Sequence, residues 1–144
     1  MAITNANLYT SSYDSIKTFL NGISGLDPRN RHKANWIHSS MPNINNKGFD
    51  GYPFIVLTVG IGEEEKSFDN STSAKIFRIM ISVYSKEGTE IDSVSDKIVN
   101  SFKTSLNDFS AKELSNSPLS WNLDLAGQKI YFRNIGFLMK ERIW

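Results

Sequence analysis

Residues 74–85 read AKIFRIMISVYS, and the alternation in this stretch decides the fold. Side chains of an extended strand point to opposite faces at period two. Phe77, Ile79, Ile81 and Val83 therefore share one face, uniformly apolar, which is expected to cover a core. Ile76, Arg78, Met80, Ser82 and Tyr84 share the other, whose mixed character suits a half-exposed surface or a subunit contact. On the N-terminal side, residues 54–61 (FIVLTVGI) repeat the pattern. Ile55, Leu57, Val59 and Ile61 form the apolar face, and Phe54, Val56, Thr58 and Gly60 the weaker one. Residues 62–73 between the strands hold Glu63, Glu64, Glu65, Lys66, Asp69 and Asn70, the composition of a solvated hairpin loop longer than the tight two-residue kind. On the C-terminal side the period changes. Ile91, Val94, Ile98, Phe102, Leu106 and Phe109 recur at three- and four-residue steps, so the spacing predicts a helix over 90–109 with one apolar stripe. Thr89 is the expected N-cap, with Asp92 in the capping-box position. An amphipathic helix of this length is marginal alone and needs a partner surface. The apolar face of the two strands supplies one.

The flanks extend this unit. Residues 10–23 are expected to form a first helix, with Tyr13, Ile16, Leu20 and Ile23 stepping along one face and Gly22 and Gly25 marking its end. Residues 24–53 contain Pro28, Pro42 and Pro53, several asparagines and a short strand signal at 35–40; so long a connection reads as an interaction loop. Residues 110–120 read as a turn-rich link. Strand alternation returns at Trp121, Leu123 and Leu125, and again over 129–133, with a bulge or bend at Asn134 and Gly136. Residues 137–144 either extend that strand or form a C-terminal arm, and residues 1–9 form an N-terminal arm. The predicted fold class is α+β: an antiparallel sheet packed against two helices, in the order helix, short strand, strand, strand, helix, strand, strand.

The chain has 144 residues, a length that suits one domain with one core. Its formal charge of +1 argues against a dedicated duplex-binding surface. It contains no cysteine, which excludes a disulfide framework and a thiolate metal site. Residues 1–10 lack the apolar run of a signal peptide, and no stretch is long and apolar enough to span a membrane.

No motif for catalysis, cofactor binding or metal ligation stands out, so no catalytic, cofactor or metal residue is assigned. His32 and His38 share a loop with Asp27 and Asp50, but their spacing does not make ligands converge. Glu63, Glu64 and Glu65 read as a solvated hairpin tip that discourages edge pairing. The Gly60-Ile61-Gly62 run lacks the third glycine and the following helix of a nucleotide fingerprint. Arg29, Arg31 and Lys33 form a small basic cluster that reads first as a solvated loop and second as the lining of a DNA passage in a larger assembly. Among the aromatics near loops and chain ends, Trp121 is expected in the core. Trp36, Phe49, Tyr52 and Trp144, together with Arg78, Met80 and Tyr84 on the mixed strand face, are the candidates for contact with a partner or a second subunit.

This order of segments resembles the tail-terminator (tail-completion) proteins of long-tailed bacteriophages. The likeness is carried by the leading helix over 13–23, the run Gly51-Tyr52-Pro53-Phe54-Ile55-Val56-Leu57, the strand over 77–85, the Asp92-led helix and the closing strands, and covers roughly residues 9–137. The resemblance implies a non-enzymatic virion protein of the tail or neck, assembled in the host cytoplasm. It implies a homo-oligomeric ring, a hexamer, seated on the tail tube protein and joined to the head-tail connector or adaptor. It further implies that DNA passes through the lumen without sequence-specific binding. A head-tail adaptor or a tube protein on a related fold is the first alternative. A small hydrolase or nuclease with its site in loop 24–53, using His32, His38 and Asp50, is the second.

Overall fold

The structure, a computed structural model, describes residues 8–29, 36–43, 49, 51–66, 72–104, 109–123 and 127–142. The elements run α1 (Leu8–Asn21), β1 (Ile37–His38), β2 (Phe54–Lys66), β3 (Thr72–Ser85), α2 (Gly88–Thr104), β4 (Phe109–Asn116), β5 (Ser120–Leu123) and β6 (Lys129–Arg142). They form a 6-stranded sheet in the order β1-β2-β3-β6-β4, with β5 pairing β6 beyond the end of β4. The α+β class stands, but the sheet is mixed. β1 runs parallel to β2, with Ile37 opposite Ile55 and His38 opposite Val56, while every other pairing is antiparallel. A strand that arrives from a helix and a long loop, without a hairpin, is free to pair in the parallel sense.

The alternation places the core where it is expected. Ile55 and Leu57 on β2, Phe77, Ile79, Ile81 and Val83 on β3, and Ile135, Phe137 and Met139 on β6 are buried on one face. That face meets Ile16 and Leu20 of α1 and Ile91, Val94, Ile98 and Phe102 of α2. Three rings tie the layers together: Phe19 of α1 lies edge-on to Phe102 of α2 at 4.9 Å, and Phe102 stacks on Phe137 of β6 at 4.4 Å. Aromatic pairs at these separations add about 0.5–1.5 kcal/mol beyond the area they bury.

Several local expectations are corrected. Helix α2 stops at Thr104, and Phe109 begins strand β4 where a helix end and then a link were expected. Phe109 satisfies the helical stripe and the first position of a strand equally well, and pairing with β6 selects the strand, with Phe109 opposite Glu141. Residues 137–142, an arm on one reading, belong to β6, paired with both β3 and β4. The predicted irregularity near Gly136 falls on the neighbouring strand: the β4–β6 register shifts between Glu113 and Ser115, opposite Phe137 and Gly136.

The cap of α2 is also built differently. Ser85, at the end of β3, accepts the Glu87 N–H at 3.1 Å and donates to Glu90 Oε1 at 2.7 Å. Asp92 is committed to an ion pair with Arg133 of β6, Nη1 to Oδ1 at 2.7 Å, and so does not cap. Ser85→Ala is expected to lower stability by about 1–2 kcal/mol, measured by urea unfolding, because a buried cap and its reciprocal carboxylate are lost together. A change below a few tenths of a kcal/mol means that Glu90 and the backbone compensate.

Candidate assembly surface

Both helices lie on the face just described, so the opposite face of the sheet is built from the remaining side chains. The register sets them in rows across β2, β3 and β6: Phe54–Tyr84–Phe132, Val56–Ser82–Asn134, Thr58–Met80–Gly136 and Gly60–Arg78–Leu138. The first row is an aromatic stack, with Phe54 parallel to Tyr84 at 4.9 Å and Tyr84 stacked on Phe132 at 5.7 Å. Phe49 and Tyr52 close over Phe54 at 5.5 and 5.4 Å, and His38 meets it edge-on at 5.8 Å. Phe54, assigned by alternation to the weaker face, is fully buried there by its neighbours. Burial pushes the Tyr84 hydroxyl above its usual range.

Away from the aromatic row the face opens. Ser82 Oγ donates to Asn134 Oδ1 at 2.7 Å, satisfying two half-buried polar groups. Ser117 then exchanges two bonds with the Asn134 backbone, N–H to O and Oγ from N–H, both at 2.9 Å, which holds the break between β4 and β5 against β6. Beyond this pair Thr58, Gly60, Arg78 and Met80 are exposed, Met80 by 37%. An apolar methionine beside a guanidinium on an uncovered sheet face is the composition of a contact surface.

The sequence candidates divide into groups. Phe49, Tyr52 and Tyr84 come together around Phe54, half-buried at one end of this face, and Arg78 and Met80 lie in the open part of it. Phe54 and Phe132, which complete the aromatic row, were missed; cross-strand register is what joins them. Trp36 is 2% exposed and belongs to the main core, so it is a packing residue of this subunit and not a surface contact. Trp121 makes the reverse correction: it is 51% exposed, with the Lys129 ammonium 4.5 Å over its ring. Arg29 is placed against the end of its own loop. Its backbone N–H donates to Asp27 Oδ1 at 2.9 Å and its Nη1 to the Tyr52 carbonyl at 3.4 Å. Gly51 has φ +84°, a left-handed backbone that favours glycine; the nearest atom to a Cβ there, Arg29 Nη1 at 2.6 Å, is the end of a flexible side chain and could move aside. Arg31, Lys33 and Trp144 lie outside the described residues, as do His32 and Asp50 of the enzyme reading.

A groove of about 590 Å³ opens between the helices, lined by Thr18, Phe19, Ile23, Lys97, Asn100 and Ser101. Lys97 donates to the Gly25 carbonyl at 2.7 Å and so ties α2 to the turn after α1. Among the described residues no three His, Asp or Glu side chains are placed to hold a metal ion, and no helix is long and apolar enough to cross a membrane. No protein-family model matches this chain, and no curated protein sequence matches it either.

Proposed function

We propose that this chain is a virion structural subunit resembling the tail terminators of long-tailed bacteriophages, forming a homo-oligomeric ring, a hexamer, that caps the tail tube and joins it to the head connector. The observation that carries the reading is the sheet face that neither described helix covers, where Met80 and Arg78 stand exposed beside a buried aromatic row. A cyclic ring joins two different patches of each subunit. The open part of this face, around Arg78 and Met80, is the first, and the loop anchored by Arg29 on Tyr52, with Phe49 beside it at the aromatic end, is the second. The formal charge of +1 suits a lumen through which DNA slides without being held. In this proposal Arg29, Arg31 and Lys33 are the candidates to face that lumen, and no chemistry is asked of the subunit.

Native mass spectrometry and negative-stain imaging of the purified protein test the proposal. The wild type is expected to show rings, and the double substitution Arg78→Glu with Met80→Glu to weaken association by roughly a thousandfold, since two hot-spot residues at about 2 kcal/mol each sum to about 4 kcal/mol. A persistent wild-type monomer, with no ring of this protein in tail particles, would defeat the reading. One ring per particle separates a terminator from a tube protein, which appears in many stacked rings.

A further inference from the structure

We propose that β5 is a docking edge for an extended segment of another protein, apolar at alternate positions and bearing a carboxylate that meets Lys129. β5 pairs β6 on one side, and on the other it pairs no described strand. Trp121 and Leu123 project from the same face of it, cross-strand from Tyr131 and Lys129, and are 51% and 61% exposed. Leu119, just before the strand, is 38% exposed and lies at the start of α2, where its Cδ2 would stand 3.0 Å from a Cβ on Gly88. The helical roof thus ends at Leu119, and the sheet continues beyond it with its apolar side chains uncovered.

The contrast with the other open edges sharpens the point. Exposed edge strands are commonly protected from pairing by charge or proline. The stretch of β2 beyond its short pairing with β1 ends in Glu63, Glu64, Glu65 and Lys66, and β4 carries Lys112 and Glu113. β5, Ser-Trp-Asn-Leu, has neither a charge nor a proline.

Area decides the kind of occupant. The three side chains expose about 300 Å² between them, well below the roughly 800 Å² that each partner contributes to a standard interface between folded proteins. A second folded copy gains too little here. An added strand gains main-chain hydrogen bonds along the edge as well as the side-chain contacts, and needs only a short footprint. The ammonium of Lys129, held 4.5 Å over the Trp121 ring, sets the charge preference. This inference stands apart from the ring reading, since it uses a different face and a different partner.

A displayed library of random decapeptides, selected against the purified full chain, tests it. Enriched peptides are expected to be apolar at every second position with an Asp or Glu, and to bind Trp121→Ser and Leu123→Thr roughly tenfold or more weakly than wild type, as central aromatic contacts do. Bound peptide is expected to slow amide exchange across Ser120–Leu123. Circular dichroism of both variants checks that these exposed substitutions leave the fold intact. No enrichment, enriched peptides indifferent to both substitutions, or enriched peptides with helical spacing would each overturn the proposal. Self-association of the wild type that Trp121→Ser abolishes would also overturn it, assigning the edge to a second copy.

Discussion

Trp36→Ala is expected to destabilise the subunit by about 3–5 kcal/mol, while Trp121→Ala costs less than about 1 kcal/mol. The two residues are the same in kind and opposite in place. Trp36 is 2% exposed and packs into the cluster that joins Ile37, Ile55 and the helices. Removing its ring leaves a cavity that the surrounding strands cannot close, and the penalty combines lost transfer energy with the void. Trp121 has its ring half in solvent, and its described partner is the Lys129 ammonium, a contact that contributes about 0.5–1 kcal/mol at an exposed site. A typical domain has only about 5–15 kcal/mol of stability in total, so Trp36→Ala is expected to leave a large unfolded fraction at modest urea. Urea unfolding followed by far-UV circular dichroism, which does not depend on either indole, measures both. Equal effects from the two substitutions would contradict the placement of both rings.

Phe54→Ala is expected to cost a similar 3–5 kcal/mol, with Phe54→Leu costing under about 1.5 kcal/mol. Phe54 is the centre of the aromatic row, touched by His38, Phe49, Tyr52 and Tyr84. Its loss removes the surface on which Phe49 and Tyr52 rest. Amide exchange is therefore expected to rise at Gly51 and Tyr52 in Phe54→Ala, beyond any uniform increase from lowered global stability, while the helix-side core around Ile81 and Ile98 keeps its rank as the slowest part. Uniform acceleration through both regions, or a cost below about 1 kcal/mol for the alanine variant, would show that Phe54 is not the support of Phe49 and Tyr52. This is a sharp test because alternation alone assigns Phe54 to the weaker face, where a single ring would be nearly neutral.

The same two predictions mark the boundary between what local pattern specifies and what packing decides. Period-two alternation determined the inward residues of β3, Phe77, Ile79, Ile81 and Val83, because a one-residue slip would turn all of them to solvent together. The stripe Ile91, Val94, Ile98 and Phe102 determined the buried face of α2 for the same kind of reason: its geometry is set by the helix itself. From the candidate surface, Arg78 and Met80 were readable as the polar-apolar partners of those inward residues. Phe49, Tyr52 and Tyr84 were readable as loop-end and strand-end aromatics, but their convergence on Phe54 was not.

What the sequence by itself determined, then, is the α+β class, two amphipathic helices and the inward faces of the two central strands. These follow from periodicity, which each segment carries internally. The solvated loop expected over 62–73 is instead largely strand, since β2 runs on to Lys66 and β3 starts at Thr72, where Glu64, Glu65 and Lys66 pair across to Lys75, Ala74 and Thr72. Only the tertiary structure decided the parallel pairing of the two-residue strand β1, the conversion of Phe109 from helix stripe to strand, the capping of α2 by Ser85 and the exchange of places between Trp36 and Trp121. Each of these depends on a partner distant in the chain: β2 for Ile37, β6 for Phe109, the end of β3 for the helix start, and the presence or absence of a roof above each indole. A local pattern records which face of a segment is apolar; what comes to lie on that face is set by the rest of the chain.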